Sequence, residues 1–161
     1  MNPPLRDLYE QVILEHNRHP RHYPENPPGS NRHAHGFNPL CNDEVSVHLQ
    51  VEDGVVRAMG FEGAGCAVAM ASASMMAEAV QGKTLDEVQG LFVRVHAMLA
   101  QDGPEEGVGK LKALAGVKAF PMRVKCATLA WHTLQAALEN RPDTVTTEDP
   151  APVCPQPGTG P

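Results

Sequence analysis

A chain of 161 residues is the size of one ordinary domain, and with 42% hydrophobic and 20% charged residues it can bury a core without disulfides. The formal net charge of -6 argues against a basic surface, and so against non-specific nucleic-acid or anionic-membrane binding as the main task. Aromatic residues are only 4%, so the core must be built largely from Val, Leu, Ala and Met.

The stretch Met1 to Asp7 holds no basic segment followed by an apolar run, and no stretch is long and apolar enough to span a bilayer. The expectation is a soluble, cytoplasmic protein with no membrane partner. In that reducing setting the four cysteines are not expected to form a disulfide framework. Buried structural thiols, a catalytic thiol and a metal site all stay open.

Leu5, Leu8, Val12 and Ile13, with Tyr9 between them, recur at helical spacing and predict an amphipathic helix over residues 4–17, closed by Pro20. Residues 19–40, rich in Pro, His, Asn and Gly, predict a long surface loop. Val45, Val47, Leu49 and Val51 alternate with Ser46, His48 and Gln50, the pattern of a half-buried strand. Asp53-Gly54 predicts a tight turn, and Val55 to Phe61 the returning strand.

Gly60, Gly63 and Gly65 lead to Cys66, which opens a helix of small residues ended by Gly82. Thr84, with Glu87 three residues on, predicts a capping box for a helix over residues 85–100. Residues 101–108 read as a loop, and Leu111 to Leu114 as a short helical turn stopped by Gly116. After Pro121 comes a last helix over 123–140, with Leu129, Ala130, Leu134 and Leu138 inward. The expected organisation is a domain over 1–142 and a disordered, Pro-rich tail over 143–161. The expected class is α+β: a small antiparallel β-sheet with helices packed on one face.

Cys41 precedes the first expected strand, Cys66 opens a helix, and Cys126 falls in the expected first turn of the last one. A helix N-terminus favours a thiolate through its unpaired N–H groups and dipole. Asp43 can turn toward the same point as Cys41 if the backbone bends at Asn42, a residue type that tolerates the left-handed conformation. Three thiolates and one carboxylate oxygen make a tetrahedral set that zinc accepts. No C-x-x-C pair is present, however, so spacing alone leaves three unrelated buried thiols as an equal reading.

His33 and His35 read as a solvated loop pair, and His19 and His22 likewise. Arg123 and Lys125 flank Cys126, either steering an anion or lining the solvent side of the helix. His132 reads as structural, Met75 and Met76 as core, and Cys154 as a tail thiol outside the site.

Three separated motifs carry a resemblance. Asn38-Pro39-Leu40-Cys41-Asn42-Asp43, then Phe61-Glu62-Gly63-Ala64-Gly65-Cys66-Ala67, then Arg123-Val124-Lys125-Cys126-Ala127-Thr128-Leu129-Ala130-Trp131 resemble the iron–sulfur cluster assembly scaffold superfamily. The opening Leu8 to Pro20 is similar to its N-terminal helix, and the resemblance spans about residues 5–140. Lys125 stands where IscU-type scaffolds carry His, and the segment of roughly 97–116 resembles the insertion of the SufU-type branch. Val117-Lys118-Ala119-Phe120-Pro121 replaces the Leu-Pro-Pro-Val-Lys motif of IscU-type scaffolds.

The resemblance implies a SufE/IscU-like fold with Zn2+ on Cys41, Asp43, Cys66 and Cys126. It implies a zinc-dependent sulfurtransferase, with Cys41 at the end of the long loop as the expected acceptor. Sulfur would come from a SufS-type cysteine desulfurase and pass toward a downstream Fe–S scaffold. The alternative it implies is a scaffold that builds a [2Fe-2S] cluster on the same ligands. A zinc-stabilised interaction module is a third class.

Overall fold

The alternation of Val45, Val47 and Leu49 with Ser46, His48 and Gln50 builds an inner strand of a four-stranded sheet. The computed structural model describes residues 3–101, 103–104, 106–118, 120–140 and 144–146. Its elements run α1 (Pro3–Arg18), β1 (Arg32–Asn38), β2 (Asp43–Glu52), β3 (Val55–Ala64), α2 (Ala67–Val80), α3 (Leu85–Ala100), a 3-10 helix (Gly109–Val117), α4 (Pro121–Leu138) and β4 (Val145–Thr146). The sheet order is β3-β2-β1-β4; β1, β2 and β3 are antiparallel neighbours, and β4 lies parallel to β1. The class is α+β as expected, with β4 making the sheet mixed. Among the described residues no helix is long and apolar enough to cross a membrane.

The inward row of β2 meets that of β3, with Val47 opposite Phe61 and Leu49 opposite Met59, all buried. Asp53 and Gly54 join the two strands with φ of 54° and 75°, the pair of positive values that a type I′ turn needs. Helix α2 is buried continuously from Ala71 to Ala77, which its small residues permit: Ser72 Oγ donates to the Ala127 carbonyl at 2.6 Å and draws α2 onto α4. Thr84 and Glu87 form the expected capping box at the start of α3.

The stretch 19–40 is not one loop, because Arg32–Asn38 is a strand. Its inward row is Ala34, Gly36 and Asn38, small or polar, so no apolar alternation betrays it. The reason is α4. A Cβ on Gly36 would fall on Thr133 Oγ1 and come within 3.1 Å of Leu129 Cδ1. Part of the remaining loop covers the free edge of β3: Glu25 N–H donates to the Phe61 carbonyl, and Phe61 N–H to that of His22, each at 3.1 Å.

Pro121 occupies the first position of α4, where its fixed φ and missing N–H do no harm, so the helix starts two residues earlier than expected. Cys126 therefore sits in the second turn, not the first. The short turn expected at Leu111–Leu114 is a 3-10 helix that runs through Gly116. Within the expected tail, Val145 and Thr146 pair with Gly36 and Phe37. Residues 147–161, with Cys154, lie outside the described residues, as do the side chains of Leu5 and Leu8.

Helix α1 is pinned to α2 by a buried polar contact. Ser74 Oγ accepts from Arg21 N–H at 2.8 Å and lies 2.8 Å from His16 Nδ1. On the other side of the ring, His16 Nε2 faces Glu78 Oε1 at 3.9 Å. Burial, and then the nearby Arg21 guanidinium, hold His16 below the usual histidine range.

Two outcomes follow from this packing. Gly36→Ala should cost about 1–3 kcal/mol in denaturant unfolding, and Thr133→Ala in the same chain should recover part of it. Full additivity of the two would show that α4 does not rest on β1 there. The unfolded chain protonates His16 near pH 6.5 while the fold holds it neutral. Its contribution to stability is complete above that pH and is lost as the pH falls through the window below it. The fluorescence of buried Trp131 should report a stability that declines on acidification more steeply in the wild type than in His16→Gln.

Candidate metal centre

The turn 39–42 between β1 and β2 sets the site. Asn42 takes φ of 57°, the left-handed bend expected of it. Leu40 N–H donates to Asn38 Oδ1 at 3.0 Å, which holds the turn closed from inside. Asn38 and Asp43 face each other across the hairpin, both almost completely buried. The Asn38 amide Nδ2 reaches Asp43 Oδ2 at 3.5 Å and Cys126 Sγ at 3.6 Å.

Cys126, from α4, brings its sulfur to 3.4 Å from that of Cys41 in the turn. One ligand atom each from Cys41, Asp43 and Cys126 lie within 4.8 Å of one another. Two sulfurs on one tetrahedral zinc stand about 3.8 Å apart when each bond is about 2.3 Å. The donor set therefore fits such an ion in both spacing and chemistry.

Cys66 stands just outside this trio. It is the residue before α2, half-buried, and its N–H donates to Asp43 Oδ1 at 2.9 Å. Its sulfur would have to swing inward to join the other three donors. Two glycines let the chain come this close. A Cβ on Gly63, whose φ is 133°, would run into the Glu44 carbonyl, and one on Gly65 would lie 2.9 Å from Asp43 Oδ1.

Burial, with hydrogen bonds to Asp43 and Cys41 and the nearby Cys66 sulfur, pushes the Cys126 thiol far above the usual cysteine range. Cys126 lies a turn deeper than the reach of the helix dipole, so the support for a thiolate expected of a first-turn position does not apply to it. The sulfur of Cys66, then that of Cys126, hold the Arg123 guanidinium above the usual arginine range. Arg123 thus faces the site, while Lys125 is part-buried and, as an ammonium, offers no lone pair.

Asn38 is the residue that spacing overlooked. Its signal was the Asn-Pro pair before Cys41, which reads as turn chemistry and hides a buried amide. The other histidines stand apart from the site. His33 and His35 lie on strand β1 rather than in a loop, and His35 pairs with Glu44 Oε1 at 3.5 Å. His19 and His22 pair with Glu15 and Glu25. His132 packs against Phe92 and His96, and Met75 and Met76 are core.

The family model for the NifU-like N terminal domain matches residues 8–147. The chain is 34% identical over 136 residues to the zinc-dependent sulfurtransferase SufU of Bacillus subtilis (strain 168), covering 83% of this chain and 91% of that one. It is 42% identical over 107 residues to the iron–sulfur cluster assembly scaffold protein IscU of Thermotoga maritima, covering 65% and 74%. The crystal structure of the N-terminal part of a nitrogen-fixing NifU-like protein from Brucella abortus superposes with a TM-score of 0.76 at 27% identity, over 84% of this chain and 95% of that one.

Asn38→Ala removes the amide that faces both Asp43 and Cys126. Zinc affinity, read by competition with a chromophoric chelator, should fall about 10–100-fold. Unchanged affinity would show that the amide does not support the donor set.

Proposed function

The chain is a SufU-type member of the NifU-like N-terminal domain family, and from that premise we propose that it is a sulfurtransferase of iron–sulfur cluster biogenesis. It would take persulfide sulfur from a SufS-type cysteine desulfurase in the cytoplasm and pass it toward a downstream scaffold. The observation that carries this reading is the contrast between two neighbouring thiols. Cys41 is half-exposed in a hairpin turn, 3.4 Å above the buried Cys126.

Cys41, Asp43, Cys66 and Cys126 would hold zinc, which when bound keeps coordinated thiols deprotonated at neutral pH. The transfer itself belongs to Cys41. Its thiolate attacks the outer sulfur of the desulfurase persulfide, and a new S–S bond forms at Cys41. The old S–S bond breaks, and the desulfurase cysteine leaves as a thiolate with the electron pair. The proton stays on the transferred sulfur, so the products are a Cys41 persulfide and a free desulfurase thiolate. No external oxidant or reductant is consumed. Cys126, buried and paired, supports the site without being reachable.

Two surfaces support a protein donor. Arg123 sets a positive charge beside the sulfurs, suited to the attacking Cys41 thiolate and to the desulfurase thiolate that leaves. Around it lie exposed apolar side chains, Phe120 at 60%, Met122 at 51% and Leu14 at 41%, while Leu40, next to Cys41 in the turn, is 48% exposed. Leu14, Phe120 and Met122 line one groove together with Arg123 and Val68. Apolar surface gathered beside a reactive thiol suits a docking partner.

The second reading, a scaffold carrying a [2Fe-2S] cluster on the same residues, is favoured by the 42% identity to the Thermotoga maritima scaffold. Anaerobically purified protein distinguishes them: colourless with one zinc under the first reading, brown with iron and sulfide under the second. Cys41→Ala should leave the Trp131 fluorescence transition in place and abolish persulfide acceptance from a SufS-type desulfurase supplied with cysteine, as read by mass spectrometry. Sulfur transfer retained in that variant would overturn the role of Cys41.

A further inference from the structure

The sheet face turned away from the helices carries a cluster of two imidazoles and a carboxylate, nitrogen and oxygen donors rather than sulfur. His33 of β1 and His48 of β2 are directly opposite in the antiparallel ladder, and Glu62 of β3 lies diagonally across from His48. His33 Nδ1 and His48 Nδ1 are 2.8 Å apart, with the rings edge to face. On its other side His48 Nε2 meets Glu62 Oε1 at 2.7 Å. The His48 side chain is 12% exposed and that of Glu62 51%, so the imidazole is held in place beneath a solvated carboxylate.

The carboxylate fixes the tautomer. A close Nε2–H donor to Glu62 leaves the lone pair of His48 on Nδ1, facing His33. An imidazole whose far N–H is held by a carboxylate is the usual preparation of a metal-ligating histidine. The proton between the two rings then sits on His33 Nδ1. When a cation takes its place, His33, which is exposed, transfers that proton through solvent to its own Nε2.

An ion bound by both rings would sit off the line between the two nitrogens, with the lone pairs turned toward it. Two nitrogens at 2.8 Å, each bound at about 2.0–2.1 Å, subtend roughly 85° at the metal. That is near the cis angle of square-planar and octahedral ions and well short of the tetrahedral angle that zinc prefers. This face is remote from the thiolate trio. His33 and His48 lie five residues along their strands from Asn38 and Asp43, about 17 Å at strand rise, and on the opposite face.

We propose that His33 and His48, oriented by Glu62, form a second metal site that takes a divalent ion of the nickel or copper class, with solvent completing its coordination. The neighbouring His35 is already paired with Glu44 at 3.5 Å and stays outside it. The site is independent of the sulfur chemistry proposed above, because it shares no residue with it.

The test uses the full chain loaded with zinc and titrated with Ni2+ by calorimetry, with zinc release followed by a colorimetric chelator. One equivalent of Ni2+ should bind without displacing zinc, and it should broaden the imidazole proton signals of His33 and His48. His33→Ala and His48→Ala should each lose this binding, Glu62→Gln should weaken it about 10–100-fold, and His35→Ala should leave it unchanged. The proposal is overturned if no Ni2+ binds beside zinc. It is equally overturned if binding survives both histidine variants, the result expected of scattered surface histidines only.

Discussion

One buried carboxylate organises the reactive end of this protein. Asp43 is about 1% exposed, and a carboxylate in that position must have each oxygen met by a donor. Oδ1 takes the N–H of Cys66 and Oδ2 faces the amide of Asn38. Through these contacts a single side chain ties the start of β2 to the end of β1 and to the mouth of α2. Every other requirement at the site follows from it. Gly65 must lack a Cβ because Asp43 fills that space, and Asn42 must bend left-handed so that the carboxylate turns inward.

The rest of the fold delivers Cys126 to that carboxylate. Helix α4 can lie against β1 only because Gly36 leaves room for Thr133 and Leu129, and against α2 only because Ser72 and Ala127 are small. Both close approaches lower α4 onto the sheet until the Cys126 sulfur meets that of Cys41. The two thiols therefore come from opposite kinds of environment. One is carried on a short turn at the surface, and the other is sealed in the layer between helix and sheet. Their difference in access is a consequence of packing, not of local sequence.

Where local rules were strong, the sequence was readable. The β2–β3 hairpin followed from period-two alternation and Asp53-Gly54, and the start of α3 from the Thr84–Glu87 capping box. Strand β1 was not readable, since its inward row of Ala34, Gly36 and Asn38 was shaped by α4 rather than by hydrophobicity. For the same reason Cys41 belongs to a tight hairpin turn and not to the end of a long loop. The turn position of Cys126 hinged on whether Pro121 opens α4 or precedes it. Convergence of Cys41, Asp43 and Cys126 was never visible in their spacing and came only from the motifs around them. The His16–Ser74 contact, 58 residues apart in the chain, left no local trace at all.

The parallel pairing of β4 has a practical side. Thr146 lies opposite Phe37, one residue from Asn38, and so stands at the same end as the donor set. The Asp53–Gly54 turn closes the opposite end, a full strand length away, roughly 30 Å for ten residues. The molecule thus has a built-in ruler. A dye attached at Thr146 stands where occupancy and partner arrival alter its surroundings, and one attached at Asp53 stands beyond their reach as an internal reference.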